Sequence, residues 1–124
     1  MTSEQLEQFE QLGSRAVACK RWWWMPGMRV IVPSKRKGNT GCFFRVNEFE
    51  WCSAEGDLPD LSDPATRGCL LALVREAWGD GVYLLPDGGW YVKGARLKNG
   101  SSISLGICAD TEADALVAAL EAAP

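Results

Sequence analysis

Few residues in this chain have the means to do chemistry, and their spacing narrows what that chemistry could be. There is no histidine, so the one side chain that titrates near neutrality unaided is missing. Acid or base work would fall to a tuned carboxylate, Lys, Tyr or Cys. The five cysteines, Cys19, Cys42, Cys52, Cys69 and Cys108, are odd in number and contain no C-x-x-C pair. Structural zinc favours four Cys or His ligands, often in close pairs, so no metal site is expected. Cys19 adjoins Lys20 and Arg21. Those cations favour its thiolate while a helix C-terminus opposes it, and a packing role is expected. Asp57, Asp60 and Asp63 recur every three residues, a spacing that could offer oxygens to a hard cation. Asp63 already has a capping task, however, and no EF-hand loop surrounds the three. Glu48 and Glu50 lie near Trp51, where strand alternation would place both on a solvent face. Gly79-x-Gly81 and Pro86-Asp87-Gly88-Gly89 join elements of the wrong kind for a phosphate loop, and no Gly-Lys-Ser/Thr follows. The expectation is a protein that is not an enzyme and carries no cofactor.

Charge is the feature that points to a binding role. Residues 11 to 47 hold eight cations and no Asp or Glu: Arg15, Lys20, Arg21, Arg29, Lys35, Arg36, Lys37 and Arg45. Trp22, Trp23, Trp24, Phe43 and Phe44 sit among them. The rest of the chain is acidic, and the net charge is −3. A cationic, aromatic surface on an acidic protein suits a polyanion or an acidic partner. Three adjacent indoles cannot share one face. Trp22 and Trp24 are expected to fill the core, leaving Trp23 as the exposed ring. The residues expected to meet a partner are Trp23, Arg29, Lys35, Arg36, Lys37 and Arg45.

The elements that must position these residues are legible from periodicity. Residues 3 to 20 read as a helix with Leu6, Phe9, Gly13, Ala16 and Val17 on one side, and Pro26-Gly27 breaks the chain after it. Met28 to Val32 and Cys42 to Val46 read as strands around a polar hairpin loop, 34–41, that carries Lys35, Arg36 and Lys37. Both faces of each strand hold apolar residues, so both are expected to be covered. Residues 53 to 63 read as a linker rich in turn residues. Asp63-Pro64 is a helix start signal, with Asp63 as N-cap and Pro64 at the first helical position. That helix should run to about Trp78, stop at Gly79-Asp80-Gly81, and be the most deeply buried of the three. Val82 to Leu85 and Gly89 to Lys93 flank a turn at Pro86-Asp87-Gly88. Ser102 to Cys108 is the last strand, and Asp110 or Thr111 caps a terminal helix whose Ala113, Leu116, Val117 and Leu120 point inward. The chain of 124 residues is expected to form one α+β domain, residues 1–124, with a mostly antiparallel sheet of four or five strands and three helices.

The set of motifs resembles the phage ABA-sandwich domain family, small proteins of bacteriophages and prophages. The likeness rests on Trp22-Trp23-Trp24-Met25-Pro26 after an acidic first helix and on Pro59-Asp60-Leu61-Ser62-Asp63-Pro64-Ala65 opening the middle helix. It continues through Trp90-Tyr91-Val92 and the run from Ala109 through Thr111-Glu112-Ala113-Asp114-Ala115-Leu116. The resemblance implies an α/β/α sandwich and a phage or prophage origin. It supplies no catalytic residues.

Function is then expected to be binding: a non-enzymatic phage or prophage accessory protein that engages a host or phage protein. Two other readings stand beside it. One is nucleic-acid binding through the basic, aromatic face; the other is a structural role as a homodimer or larger homo-oligomer. No stretch approaches the roughly 20 apolar residues of a membrane span. Met1 to Glu7 is acidic and lacks an apolar core, so no signal peptide is expected and the bacterial host cytoplasm is the expected location.

Overall fold

The computed structural model describes residues 3–32, 42–46, 57–96, 102–103 and 105–123. In chain order its elements are α1 (Ser3–Val17), β1 (Arg29–Val32), β2 (Cys42–Arg45), β3 (Leu58–Pro59), α2 (Pro64–Trp78), β4 (Tyr83–Pro86), β5 (Trp90–Lys93), β6 (Ala95–Arg96), β7 (Ser102–Ile103), β8 (Cys108–Ala109) and α3 (Glu112–Glu121). The result is a small α+β domain with three helices and antiparallel pairing. Its strands do not join into one sheet of four or five. They divide into β2-β1-β3, β4-β5-β8 and the ribbon β6-β7. Two glycines set the ribbon apart from β4-β5-β8. Gly94, at φ +78°, separates β5 from β6, and Gly106, at φ +67°, interrupts the single strand expected over Ser102 to Cys108. Left-handed backbone of this kind ends a strand's regular pleat, and glycine adopts it without steric cost.

The helix signals hold. The Asp63 carboxylate accepts the Thr66 N–H at 3.1 Å, Pro64 occupies the first turn, and the Gly79 N–H closes the C-terminus of α2 on Arg75 O at 2.7 Å. Thr111 is the N-cap of α3, accepting from Asp114 N–H at 3.1 Å. Core placement differs from expectation in one respect. The most deeply buried helix is α3, where Ala113, Ala115, Leu116, Val117, Ala119 and Leu120 are all enclosed. It packs against α1, α2, β5 and β8 at once. Small Ala115 and Ala119 let neighbours close on the sides that a leucine stripe leaves open, and the Trp78 indole N–H donates to Ala119 O at 2.9 Å.

Of the stretch expected to be a linker, residues 57–61 are instead part of the core. Asp57, Leu58, Pro59, Asp60 and Leu61 are buried, and Leu58 and Pro59 form β3 on the edge of β1, paired as Ile31 with Leu58 and Val30 with Pro59. Proline suits an edge strand because it has no N–H to donate. Helix α1 lies directly on this strand. A Cβ at Gly13 would sit 3.2 Å from Pro59 O and 3.3 Å from Pro59 Cδ, so a glycine is what permits the close approach. Met28, Val30 and Ile31 are all fully enclosed, which confirms that both faces of β1 are covered.

Candidate functional site

Beyond α1, residues 18–21 turn on bonds such as Trp22 N–H to Cys19 O at 3.1 Å, and residues 22–25 are neither helix nor strand. The three indoles therefore separate. Trp22 and Trp24 are half-buried against the core and meet edge to face, with ring centroids 5.3 Å apart and planes at 85°. Such pairs contribute about 0.5–1.5 kcal/mol beyond their burial. Trp23 is 46% exposed. Its indole N–H donates to Glu76 Oε2 at 3.2 Å, so the outer side of α2 holds the ring edge while a face stays open to solvent. Glu76 had no sequence signal as a partner: it lies 53 positions away and reaches Trp23 only through the packing of the turn on α2.

The cations around this turn are not uniformly available. Arg15 makes a forked ion pair with Glu121, with Nη2 to Oε1 at 2.5 Å and Nε to Oε2 at 3.2 Å. That bond raises the Arg15 pKa further above its ordinary value. The pair also has a structural task, because α3 carries no base in its last turn and Arg15 supplies one from α1. Arg29 Nε lies 3.6 Å from Asp60 Oδ2, and the Asp60 carboxylate is almost fully enclosed. The main-chain N–H of Arg29 donates to Thr66 Oγ1 at 2.8 Å. Lys20 and Arg21 remain exposed. With Arg15, Cys19, Leu120 and Glu121 they border a cleft of about 360 Å³ between the C-terminal ends of α1 and α3. The backbone register sets Arg45 opposite Arg29 across β1 and β2. Lys35, Arg36 and Lys37 lie outside the described residues, as do Glu48 and Glu50. Of the six residues expected to meet a partner, the described side chains are thus Trp23, open on one face, and Arg29, offset by a carboxylate.

The carboxylates spaced every three residues have separate structural work. Asp60 Oδ1 accepts from Ser62 N–H at 3.1 Å and from the Ser62 hydroxyl at 2.5 Å. Asp63 Oδ2 accepts from the Thr66 hydroxyl at 2.8 Å as well as from its N–H. Among the described residues no three His, Cys, Asp or Glu side chains gather as a metal would need. Cys19, Cys69 and Cys108 are free thiols. Burial, and then the Glu121 charge, push the Cys19 pKa up, with Arg15 opposing. Burial and the Glu121 charge outweigh the opposing Arg15.

A second exposed apolar surface lies on the sheet β4-β5-β8. Tyr83 and Leu85 are 50% and 43% exposed. Their cross-strand partners are Lys93 and Tyr91, and Cys108 pairs with Tyr91 on the other side. The period-2 spacing of Tyr83-x-Leu85 and Tyr91-x-Lys93 was readable in the sequence. Which face turns outward was not, because Leu84, Trp90 and Val92 on the opposite face are also apolar, and it is they that pack on the core. No helix of the described residues is long and apolar enough to cross a membrane.

Comparison with protein-family models, with curated proteins and with solved structures finds no match to this chain.

Proposed function

We propose that the protein acts by binding another protein through the turn that carries Trp23, with no reaction of its own. The observation that carries this reading is a 46% exposed tryptophan held between two indoles that are packed away. Exposing a large aromatic ring is costly in solvent, and Trp is enriched where interfaces concentrate their affinity. Lys20 and Arg21 next to it suit a partner with carboxylates at the rim of the contact. Nucleic acid is a weaker fit. Two cations of the basic stretch, Arg15 and Arg29, already face carboxylates, and Glu76 adds a negative charge beside Trp23. The setting, a phage or prophage accessory protein working on a host or phage protein in the bacterial cytoplasm, comes from the sequence resemblance alone.

Affinity capture from bacterial lysate, with and without nuclease, tests the reading. Wild type should retain a protein that Trp23→Ala loses and that nuclease leaves in place. A Lys35→Glu, Arg36→Glu, Lys37→Glu variant measures what the basic hairpin adds. Capture that vanishes with nuclease and falls steeply with salt would assign the surface to nucleic acid instead. Identical capture by wild type and Trp23→Ala would remove Trp23 from the binding surface.

A further inference from the structure

The sheet β4-β5-β8 leaves one face to solvent, and its chemistry is mixed in a particular order. Tyr83 and Leu85 project from β4, Tyr91 and Lys93 from β5, and Cys108 from β8. Lys93 Nζ stands 5.7 Å from the centre of the Tyr91 ring. Asp87 lies two residues beyond Leu85, in the turn at the other end of the hairpin, where its N–H donates to Gly89 O at 2.8 Å. The Tyr91 phenol is held above its ordinary pKa first by its hydrogen bond with Cys108, and the Asp87 charge adds to the effect. A cation and a carboxylate thus flank one apolar patch from opposite ends. Neither makes an ion pair among the described residues.

The outer edge of β4 cannot serve in place of the face. Val92 N–H donates to Ile107 O at 3.4 Å, so Val92 turns its main-chain groups toward β8. Alternation then turns those of Tyr91 and Lys93 toward β4, where they meet Leu85 and Tyr83. On the outer edge of β4 that leaves residues 82, 84 and 86. Val82 O already accepts from Arg75 Nε at 2.9 Å, and Val82 N–H donates to Gly79 O. Pro86 has no N–H. Only Leu84 offers a full donor and acceptor pair, too little to template an added strand.

We propose that the exposed face of this sheet is a self-association surface, on which a second copy of the chain packs face to face about a two-fold axis running across the strands. Leu85 and Tyr91 sit at the centre of the contact, with Tyr83 beside Lys93 at one end. The axis reverses the strand direction between copies, so Lys93 of each copy lies over Asp87 of the other. A partner of single charge sign would satisfy one end of the patch and oppose the other; an identical copy satisfies both. The patch is small beside the roughly 800 Å² per partner of a standard interface, so the dimer is weak and concentration-dependent. It is independent of the Trp23 contact.

Sedimentation velocity over a concentration series tests this, with circular dichroism to show that each variant is folded. Wild type is expected to move from monomer to dimer, and Leu85→Glu to stay monomeric throughout. Lys93→Asp and Asp87→Lys each turn two attractive contacts into two repulsive ones, so each should weaken association roughly tenfold. The double exchange should restore it, which a merely structural role for either residue would not produce. Trp23→Ala should dimerise as wild type does, so failure here and failure of the Trp23 reading are separable. A wild type that stays monomeric to its solubility limit would overturn the proposal. So would association that survives Leu85→Glu, or single exchanges that weaken it without rescue in the double.

Discussion

Replacing Asp63 with alanine should unlock the start of α2 from β1, and the loss can be worked from the contacts. The carboxylate accepts the Thr66 N–H at 3.1 Å, and removing an N-cap of this kind costs about 1 kcal/mol. The same oxygen, Asp63 Oδ2, also accepts the Thr66 hydroxyl at 2.8 Å. Thr66 is fully buried, so its hydroxyl would be left without that acceptor in a place water does not reach, at a further cost of about 1–3 kcal/mol. The two together come to roughly 2–4 kcal/mol. The effect reaches β1, because the Thr66 oxygen is the acceptor for Arg29 N–H. In urea unfolding, with a slope on the order of 2 kcal/mol per molar, the midpoint should fall by about 1–2 M at unchanged slope. Asp63→Asn keeps an oxygen in the same place and should recover most of the loss. A loss below about 0.5 kcal/mol for Asp63→Ala, the size of an ordinary surface substitution, would refute the reading of Asp63 and Thr66 as the tie between α2 and β1.

Gly13→Ala should destabilise by about 1 kcal/mol in thermal unfolding, because crowding of Pro59 O outweighs the gain in helix propensity. Gly94→Ala should cost at least about 2 kcal/mol, since φ is +78° and the new methyl would fall within contact of Gly81 O. Trp22→Ala should lower stability by about 2 kcal/mol or more through lost packing with Trp24, while Trp23→Ala should cost about 1 kcal/mol or less. In mass-resolved alkylation near pH 8, exposed Cys108 should label before Cys19. The Cys19 pKa is raised by folding, so the stability linked to it is present in full below the ordinary thiol pKa. It is lost as pH rises through the folded value, because the unfolded thiol gives up its proton first. A Cys19→Ala variant should lose that part of the alkaline slope.

Local signals were reliable wherever a residue acts on its own neighbours. Asp63 with Pro64 started α2, Gly79 ended it, Thr111 capped α3, and three adjacent indoles put Trp23 outside. The reading failed at residues 57–61, whose turn-rich composition suggested a solvated linker. Leu58 and Leu61 are only two apolar residues, and what buries the segment is the arrival of β1 on one side and of a glycine-notched helix on the other. The ranking of the helices failed for a similar reason. Leucine content favoured α2, but alanines at 115 and 119 let α3 be approached from several directions and become the centre.

Periodicity and capping are properties of a few adjacent residues, so α+β class, the two ends of α2, the N-cap of α3 and the segregation of cations into residues 11–47 could be read from the chain alone, while α1, read as residues 3 to 20, stops at Val17. Charge neutralisation is a property of distance in space. Glu121 lies 106 positions from Arg15, and Asp60 lies across a strand pair from Arg29. Neither separation is visible until the helices and strands have packed. Folding therefore determined which of the sorted charges stay open to a partner, and which of two apolar faces of the β4-β5-β8 sheet was left facing water.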